Sequence, residues 1–235
     1  MKSFLKRSLG GVLTLVVAFF CLNILLAEER AKASSQELVP LKLTLPDPVF
    51  SGTPKDAPPG VDIEPMPTKP PPPLMIPADA RNIAPGKKIT CSDKSVSADQ
   101  LARITDGNKA AGEDNTALLR KGLQWIQFDL GAPHDIYVIV IWHAHDTAKV
   151  YRSVIVQASD DPDFGEHTVT LFNNDRDNSS GLGAGKDRQY FESFRGKIID
   201  GKGTRARYVR LYSHGSTDGA YNEYTEVEIY GRPAK

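Results

Sequence analysis

The chain has 235 residues, and its 29 basic and 29 acidic side chains give a formal net charge of zero. Beyond residue 33 it keeps 24 basic residues (29 minus 5) and 27 acidic residues (29 minus 2), so this part is slightly negative. That balance lacks the basic stripe that a nucleic-acid partner calls for. Cys91 is the one cysteine after residue 33, which excludes a disulfide within this part of the chain.

The first 33 residues have the pattern of a secretory signal. Residues 1–7 carry three basic side chains, and the stretch 8–27 contains no charge. Because the apolar run is about as long as the roughly 20 residues of a membrane-spanning helix, an uncleaved anchor stays open as an alternative. Either form predicts an extracytoplasmic chain that is secreted, periplasmic or anchored, and that meets a membrane only through this segment.

Residues 34–80 are predicted to form a proline-rich extended linker. Thirteen of the seventeen prolines lie between residues 40 and 77. Proline fixes φ and removes a backbone donor, so the stretch favours polyproline-like backbone over a packed fold. It serves either as a semi-rigid tether or as a proline-rich ligand for a partner domain.

After residue 80 the sequence changes to short segments rich in β-branched and aromatic residues, separated by turn signals. The segments are 125–131, 135–143, 151–159, 167–172, 206–213 and 223–231. Several alternate with period two, and no long helix is indicated. We therefore predict an all-β fold for 81–235, an antiparallel β-sandwich or jelly roll. Trp125 and Trp142 stand in apolar strands and are expected in its core.

Six motifs in this region occur in the order seen in a known family. They are "RNIAPGKKIT", "ITDGN", "QWIQFDLG", "YRSVIVQASDDPDF", "ARYVRLYS" and "TEVEIYG". Together they resemble discoidin domains, also called coagulation factor 5/8 type C domains, and are similar to family 32 carbohydrate-binding modules. The resemblance implies a galactose-binding-like jelly roll that binds sugars, glycans, phospholipid heads or proteins in loops at one end and does not catalyse. The chain differs from the animal discoidins in lacking the disulfide that closes their ends.

Two loops carry the side chains expected to contact a ligand. In sugar-binding relatives the loop after the strand "DIYVIVIWH" contributes polar groups, and a second loop spans 213–224. Sugars require planar hydrogen-bonding groups and an aromatic platform, and both types are present here. The candidates are His143, His145, Asp146, His214, Asp218, Tyr221 and Asn222. Solvated loops without a ligand, and a zinc site at "WHAHD", remain alternatives.

The "DGN" turn and the last strand form a candidate calcium site. Calcium takes oxygen ligands from carboxylates, amides and carbonyls. Asp106 and Asn108 supply such oxygens, and by resemblance Glu226 matches the calcium glutamate of the family. A hydrogen-bonded turn without an ion is the alternative.

The segment "NNDRDNSSGLGAG" (173–185) combines features of a calcium loop and a phosphate loop and completes neither. Counting from Asp175, an EF-hand requires Gly where Ser180 stands and Glu where Lys186 stands. It is predicted to be a long polar loop, stitched by its own side chains or contacting a ligand. The possible contacts are Asn174, Asp175, Asp177 and Asn178.

Three functions compete for this chain. The first is an extracytoplasmic binding module for carbohydrate, glycan or another envelope polymer. The second is a structural or interaction module that docks on an envelope protein. The third is an enzyme, for which the sequence shows no nucleophile elbow, paired-acid motif or closed metal triad. The first is preferred, and the chain is expected to be non-catalytic.

Overall fold

The computed structural model describes residues 37–50, 62–66, 69 and 72–234. The chain divides into two compact units, Met1–Val39 and Pro40–Lys235, and the first contributes only residues 37–39 to the described part. The predicted signal or anchor at 1–33 lies outside the described residues. Within them, no helix is long and apolar enough to cross a membrane.

The described residues contain ten strands and one short α-helix. The strands are β1 (Leu38–Pro40), β2 (Met75–Pro77), β3 (Arg81–Asn82), β4 (Lys88–Cys91), β5 (Ala117–Leu119), β6 (Gln124–His143), β7 (Ile155–Ser159), β8 (Val169–Asn173), β9 (Lys197–Ser213) and β10 (Asn222–Pro233). The helix α1 (Ala98–Arg103) begins at Ser97, whose side chain accepts from the backbone N–H of Gln100 in a capping box. A 3₁₀ turn follows at Glu113–Asn115.

The main sheet is antiparallel, with the strand order β3-β10-β6-β9-β7-β8. The first part of β6 pairs with β4 and with the end of β9, and its second part pairs with β10 and with the start of β9. The β6–β9 register shifts between Asp129 and His134 and again between Ile136 and Val138. Since these irregularities bend strands, β6 and β9 contribute to both layers. The predicted all-β antiparallel sandwich is confirmed.

The core lies between the two halves of these long strands. Ile126 and Phe128 from the first half of β6 are fully buried in the same cluster as Ile139 and Ile141 from its second half. Alternation places the intervening Gln127 and Val140 on the other face of the strand. One continuous apolar cluster therefore holds both layers, as a sandwich without a disulfide in its described residues requires.

The two tryptophans have different environments. Trp142 is fully buried, and its indole N–H donates to the Phe194 carbonyl over 3.0 Å. Gly196 has φ of +66°, and a Cβ there would lie 2.6 Å from the Trp142 ring, so the close approach requires glycine. Trp125 is partly exposed, with the Arg210 guanidinium 4.5 Å from its ring centroid. The core prediction is right for Trp142 and wrong for Trp125.

Part of the predicted linker contacts the sandwich. Ile63 forms a parallel bridge with Gln189, and the backbone N–H of Glu64 donates to the Gln189 carbonyl over 2.7 Å. The Glu64 carboxylate also accepts from the Lys197 ammonium at 2.7 Å. Residues 62–66 are thus docked on the sandwich and are not a free tether, while the two predicted boundaries, after residues 33 and 80, stay predictions.

Candidate functional site

The structure brings the two predicted ligand loops together at one end of the sandwich. His143, at the end of β6, pairs with Tyr224 of β10, and the backbone N–H of Ala144 donates to the Glu223 carbonyl. The Thr147 hydroxyl donates to Asp218 over 3.1 Å and links the loop tips. The sequence prediction that these loops share a surface therefore fits the fold.

His143 and His145 do not reach that surface. Both are fully buried. His143 Nδ1 lies 2.6 Å from Glu192 Oε1, in a pair whose two side chains are 0% exposed, and its ring stacks on Tyr151 with centroids 4.3 Å apart. His145 Nε2 lies 2.8 Å from the Lys109 carbonyl oxygen. The sequence placed the emergence of β6 from the core at His143, whereas the chain emerges at Asp146.

Asn222 is also buried and organises the turns around it. Its Oδ1 accepts from the Ser213 hydroxyl and the Gly215 N–H, both at 2.8 Å. Its Nδ2 donates to the carbonyls of Arg120 and Gly122. With its hydrogen-bonding capacity used within the protein, Asn222 positions the loop, and it has no free polar group to offer a ligand.

The exposed candidates are Asp146, Asp218 and Tyr221, with His214 half-buried. The Tyr221 side chain is 45% exposed, and the Lys121 ammonium lies 5.5 Å from its ring centroid. An exposed aromatic ring of this kind is a suitable platform for a sugar face.

Lys149 connects the two loops from below. Its ammonium lies 2.9 Å from Asp146, 3.4 Å from Glu223 and 3.8 Å from Asp218. Burial alone lowers the pKa of Lys149, but the carboxylates of Asp146 and Glu223 raise it more, so the net direction is upward. The lysine therefore stays charged at neutral pH and holds the acidic loop tips in place.

The 173–185 segment is stitched by its own side chains. The Asp175 carboxylate is buried and accepts from the backbone and hydroxyl groups of both Ser179 and Ser180. Burial raises the pKa of Asp175, but the hydrogen bonds donated by Ser180 and Ser179 lower it more strongly, to about 2. Asp177 and Asn178 are exposed, and Asn178 has φ of +57°. The loop thus has the self-bonded form that the sequence left open.

A polar cavity of about 270 Å³ opens beside this loop. The turn at Arg152 and Ser153 forms one wall and lies between the 213–224 loop and the 173–185 loop. On one side, Arg152 exchanges backbone hydrogen bonds with His214 and Gly215. On the other side, the Ser153 hydroxyl lies 3.2 Å from that of Ser179. The cavity is also lined by Asp62, Asn174, Arg176 and Asp177.

Two donors at this cavity have no partner among the described residues. Asn174 is almost fully buried, and its Oδ1 accepts from the Val154 N–H over 2.7 Å, but its Nδ2 finds no acceptor. The exposed Arg152 guanidinium makes no hydrogen bond or ion pair within the described part of the chain. Sequence reasoning missed Arg152, although its position just before the strand "SVIVQAS" was a usable signal.

The predicted calcium residues also meet. Glu226 is buried, and its Oε2 accepts from the N–H of Gly107, the central residue of the "DGN" turn, over 3.2 Å. Asp106 Oδ1 accepts from the Asn108 N–H over 2.8 Å. Burial raises the pKa of Glu226 to about 8, and the carboxylates of Glu228 and Asp106 act in the same direction. Over the described residues no group of three or more His, Cys, Asp or Glu side chains is placed to hold a metal. The proposed set has only two carboxylates and one amide.

No protein-family model matches the chain, and no curated protein matches it. Similar solved structures include a family 89 glycoside hydrolase from Clostridium perfringens, at 18% identity and TM-score 0.48, covering 65% of this chain and 15% of that one. A chitosan-binding module from a Paenibacillus sp. IK-5 chitosanase/glucanase matches at 20% identity and TM-score 0.45, covering 65% and 99%. A Streptococcus pneumoniae fucose-binding module matches at 18% identity and TM-score 0.43, covering 64% and 97%. The neighbours include carbohydrate-binding modules, the group that the six sequence motifs resemble, and these likenesses concern the fold alone.

Replacing His143 by Ala is expected to lower the free energy of unfolding by about 3–5 kcal/mol, because the buried Glu192 carboxylate loses its partner. Tyr221→Ala, at an exposed ring, is expected to stay within about 0.5 kcal/mol of the parent. Urea unfolding measures both. If His143→Ala left stability unchanged and abolished ligand binding, the imidazole would be a surface contact after all.

Asp175→Asn is expected to destabilise the chain by about 1–3 kcal/mol at pH 7, since hydrogen bonds to a buried carboxylate are lost. The pKa of Asp175 is depressed in the folded state, so its contribution is complete above the unfolded value near 3.8 and is lost as the pH falls towards about 2. Denaturant unfolding between pH 7 and pH 2 should therefore show that the free energy of unfolding falls less on acidification in the variant than in the parent chain. The exposed Asp177→Asn serves as control, and equal effects for the two variants would contradict the assignment.

Proposed function

We propose that this chain is a non-catalytic extracytoplasmic module that binds carbohydrate in the loops at one end of its sandwich. The observation that carries the proposal is a polar cavity lined by two residues with unpartnered donors, Arg152 and Asn174, where the 152–153 turn, the 173–185 loop and the docked segment 62–66 meet. A buried polar group without a partner, such as Asn174 Nδ2, is rare in folded proteins and marks a place where a ligand or water completes the hydrogen bonding. A pocket with a few polar groups on its walls is the usual form of a binding site.

The chemistry of the cavity suits a sugar. A sugar hydroxyl both accepts and donates, so it satisfies a guanidinium or amide N–H and in turn donates to a carboxylate such as Asp177. Tyr221 adds an exposed aromatic ring on the adjoining 213–222 loop. The strands beneath these loops supply a rigid frame, which is the usual arrangement for binding loops.

Export is supported by the sequence pattern of residues 1–33, with its basic start and uncharged apolar run. The described residues contain no disulfide, and this does not conflict with export, because the continuous apolar core holds the sandwich together. An envelope polysaccharide or a secreted glycan is the ligand source that such a location provides.

Calcium binding belongs to the same proposal. Asp106, Asn108 and Glu226 offer hard oxygen ligands, and the buried Glu226 carboxylate, whose pKa is raised by burial, gains from a nearby cation. These residues fit the ion in donor chemistry, and the ion would stabilise the contact between the "DGN" turn and β10.

The glycan site can be tested with the full chain on a panel of oligosaccharides by isothermal titration. Arg152→Ala is expected to raise the dissociation constant of the best ligand at least tenfold, which corresponds to about 1.4 kcal/mol, because the lost guanidinium lines the cavity. Arg81→Ala, at another exposed arginine far along the chain, serves as the matched control and should bind normally. Absence of binding across the panel, or equal effects of the two substitutions, would contradict the proposal.

Calcium is expected to raise the melting temperature of the chain relative to EDTA. At a hundredfold excess over the dissociation constant, the bound ion adds about 2.7 kcal/mol to the free energy of unfolding. Glu226→Gln should remove most of that gain. Glu228→Gln should lower stability in both conditions, because the Lys109 ammonium 2.7 Å away loses its partner, but should keep the gain. Identical melting curves in EDTA and millimolar calcium would count against the site.

A further inference from the structure

The cavity beside the 173–185 loop already holds a carboxylate at its rim. Asp62, from the docked segment 62–66, lines the cavity together with Arg176. Its Oδ2 accepts from Arg176 Nη2 at 2.7 Å, and its Oδ1 accepts from Arg188 Nε at 2.6 Å. Two guanidinium groups therefore bind the two oxygens of one carboxylate, which is strong recognition geometry for that group.

This internal carboxylate is weakly held. The side chains of Asp62, Arg176 and Arg188 are 42%, 50% and 45% exposed, and exposed ion pairs contribute little to stability. The segment is held separately by its backbone, since the Gln189 N–H donates to the Asp62 carbonyl and the Glu64 N–H donates to the Gln189 carbonyl. The Asp62 side chain can thus leave the two arginines while the segment stays docked.

The remaining charges around the cavity leave room for an anion. Asp175 lines the cavity, but its carboxylate is turned into its own loop, where it accepts from Ser179 and Ser180. Asp177 is exposed and accepts from the Ser179 N–H. Arg152, by contrast, has no partner within the described part of the chain. Displacement of Asp62 would leave three guanidinium groups at or beside the cavity, those of Arg152, Arg176 and Arg188.

We propose that the cavity binds an acidic saccharide, a uronic acid unit whose carboxylate replaces that of Asp62 on Arg176 and Arg188. This inference rests on the proposed function and names the class of sugar. Asp62 then acts as an internal competitor, which occupies the carboxylate position until an acidic sugar arrives. Arg152 and the Asn174 amide serve the hydroxyl groups of the same unit.

The test compares an oligogalacturonate with the same oligosaccharide methyl-esterified at its carboxyl groups, by titration against the full chain. The acid is expected to bind several-fold more tightly than the ester. Raising the salt from 50 to 500 mM should lower the affinity for the acid and leave the affinity for the ester unchanged, because salt screens the partly exposed charges. Arg176→Ala should remove most of the preference for the acid.

Asp62→Asn is the decisive variant, because it removes the competing charge and keeps the backbone contacts. This variant is expected to bind the acid several-fold more tightly than the parent chain does and to bind the ester with unchanged affinity. Its melting temperature should stay that of the parent chain. The exposed Asp79→Asn, at an acid that pairs with Arg232, is the control and should change neither affinity. Equal affinity for acid and ester, or an unchanged affinity of Asp62→Asn for the acid, would overturn the inference. If neutral sugars alone bind, the proposed function stands and this inference fails, whereas if no saccharide binds both fail.

Discussion

The antiparallel pairing of β6 with β9 is the interaction on which the rest of the structure depends. It runs from Gln124 opposite Ser213 to Ile141 opposite Lys197, interrupted by two register shifts. Because both strands continue through the irregular region, each layer of the sandwich is covalently continuous with the other. A slip of one residue would turn the apolar face of both strands outward, so the core and the positions of all loops at their ends are fixed together.

The loop end of the sandwich is held by buried polar groups. The His143–Glu192 pair, the Asn222 amide and the Lys149 ammonium each link chain segments that are distant in sequence. Such groups are costly to bury unless they are paired, and here the pairing fixes the geometry of the loops. Residues first expected to contact the ligand thus support the frame, and the exposed side chains around them are the ones that we propose to contact it.

The buried carboxylates of Asp175 and Glu226 have pKa values that are shifted in opposite directions. Asp175 is surrounded by N–H and O–H donors that stabilise its charged form, and its pKa falls. Burial raises the pKa of Glu226, the Gly107 N–H and the Lys109 ammonium oppose that rise, and the carboxylates of Glu228 and Asp106 add to it. The hydrogen bonds of Asp175 are satisfied within its own loop. A cation beside Glu226 would stabilise the charged form of that carboxylate, as we propose for calcium. Burial opposes the charged form at both residues, but the Asp175 carboxylate accepts from four N–H and O–H groups of Ser179 and Ser180 and the Glu226 carboxylate from one N–H.

The sequence by itself determined the fold class, because period-two alternation in segments such as 125–131 and 206–213 reflects one buried face of a strand. The resemblance to discoidin domains placed the two predicted ligand loops at a common end. It also located the "DGN" turn near Glu226 through the resemblance to discoidin domains. Only the tertiary structure decided that His143 and Asn222 are buried, since a polar residue at a strand end looks alike in sequence whether a distant Glu192 or solvent receives it. The docking of Asp62 on Arg176, 114 positions away along the chain, was equally invisible, because a proline-rich composition describes local backbone preference and carries no information about a partner supplied by another part of the fold.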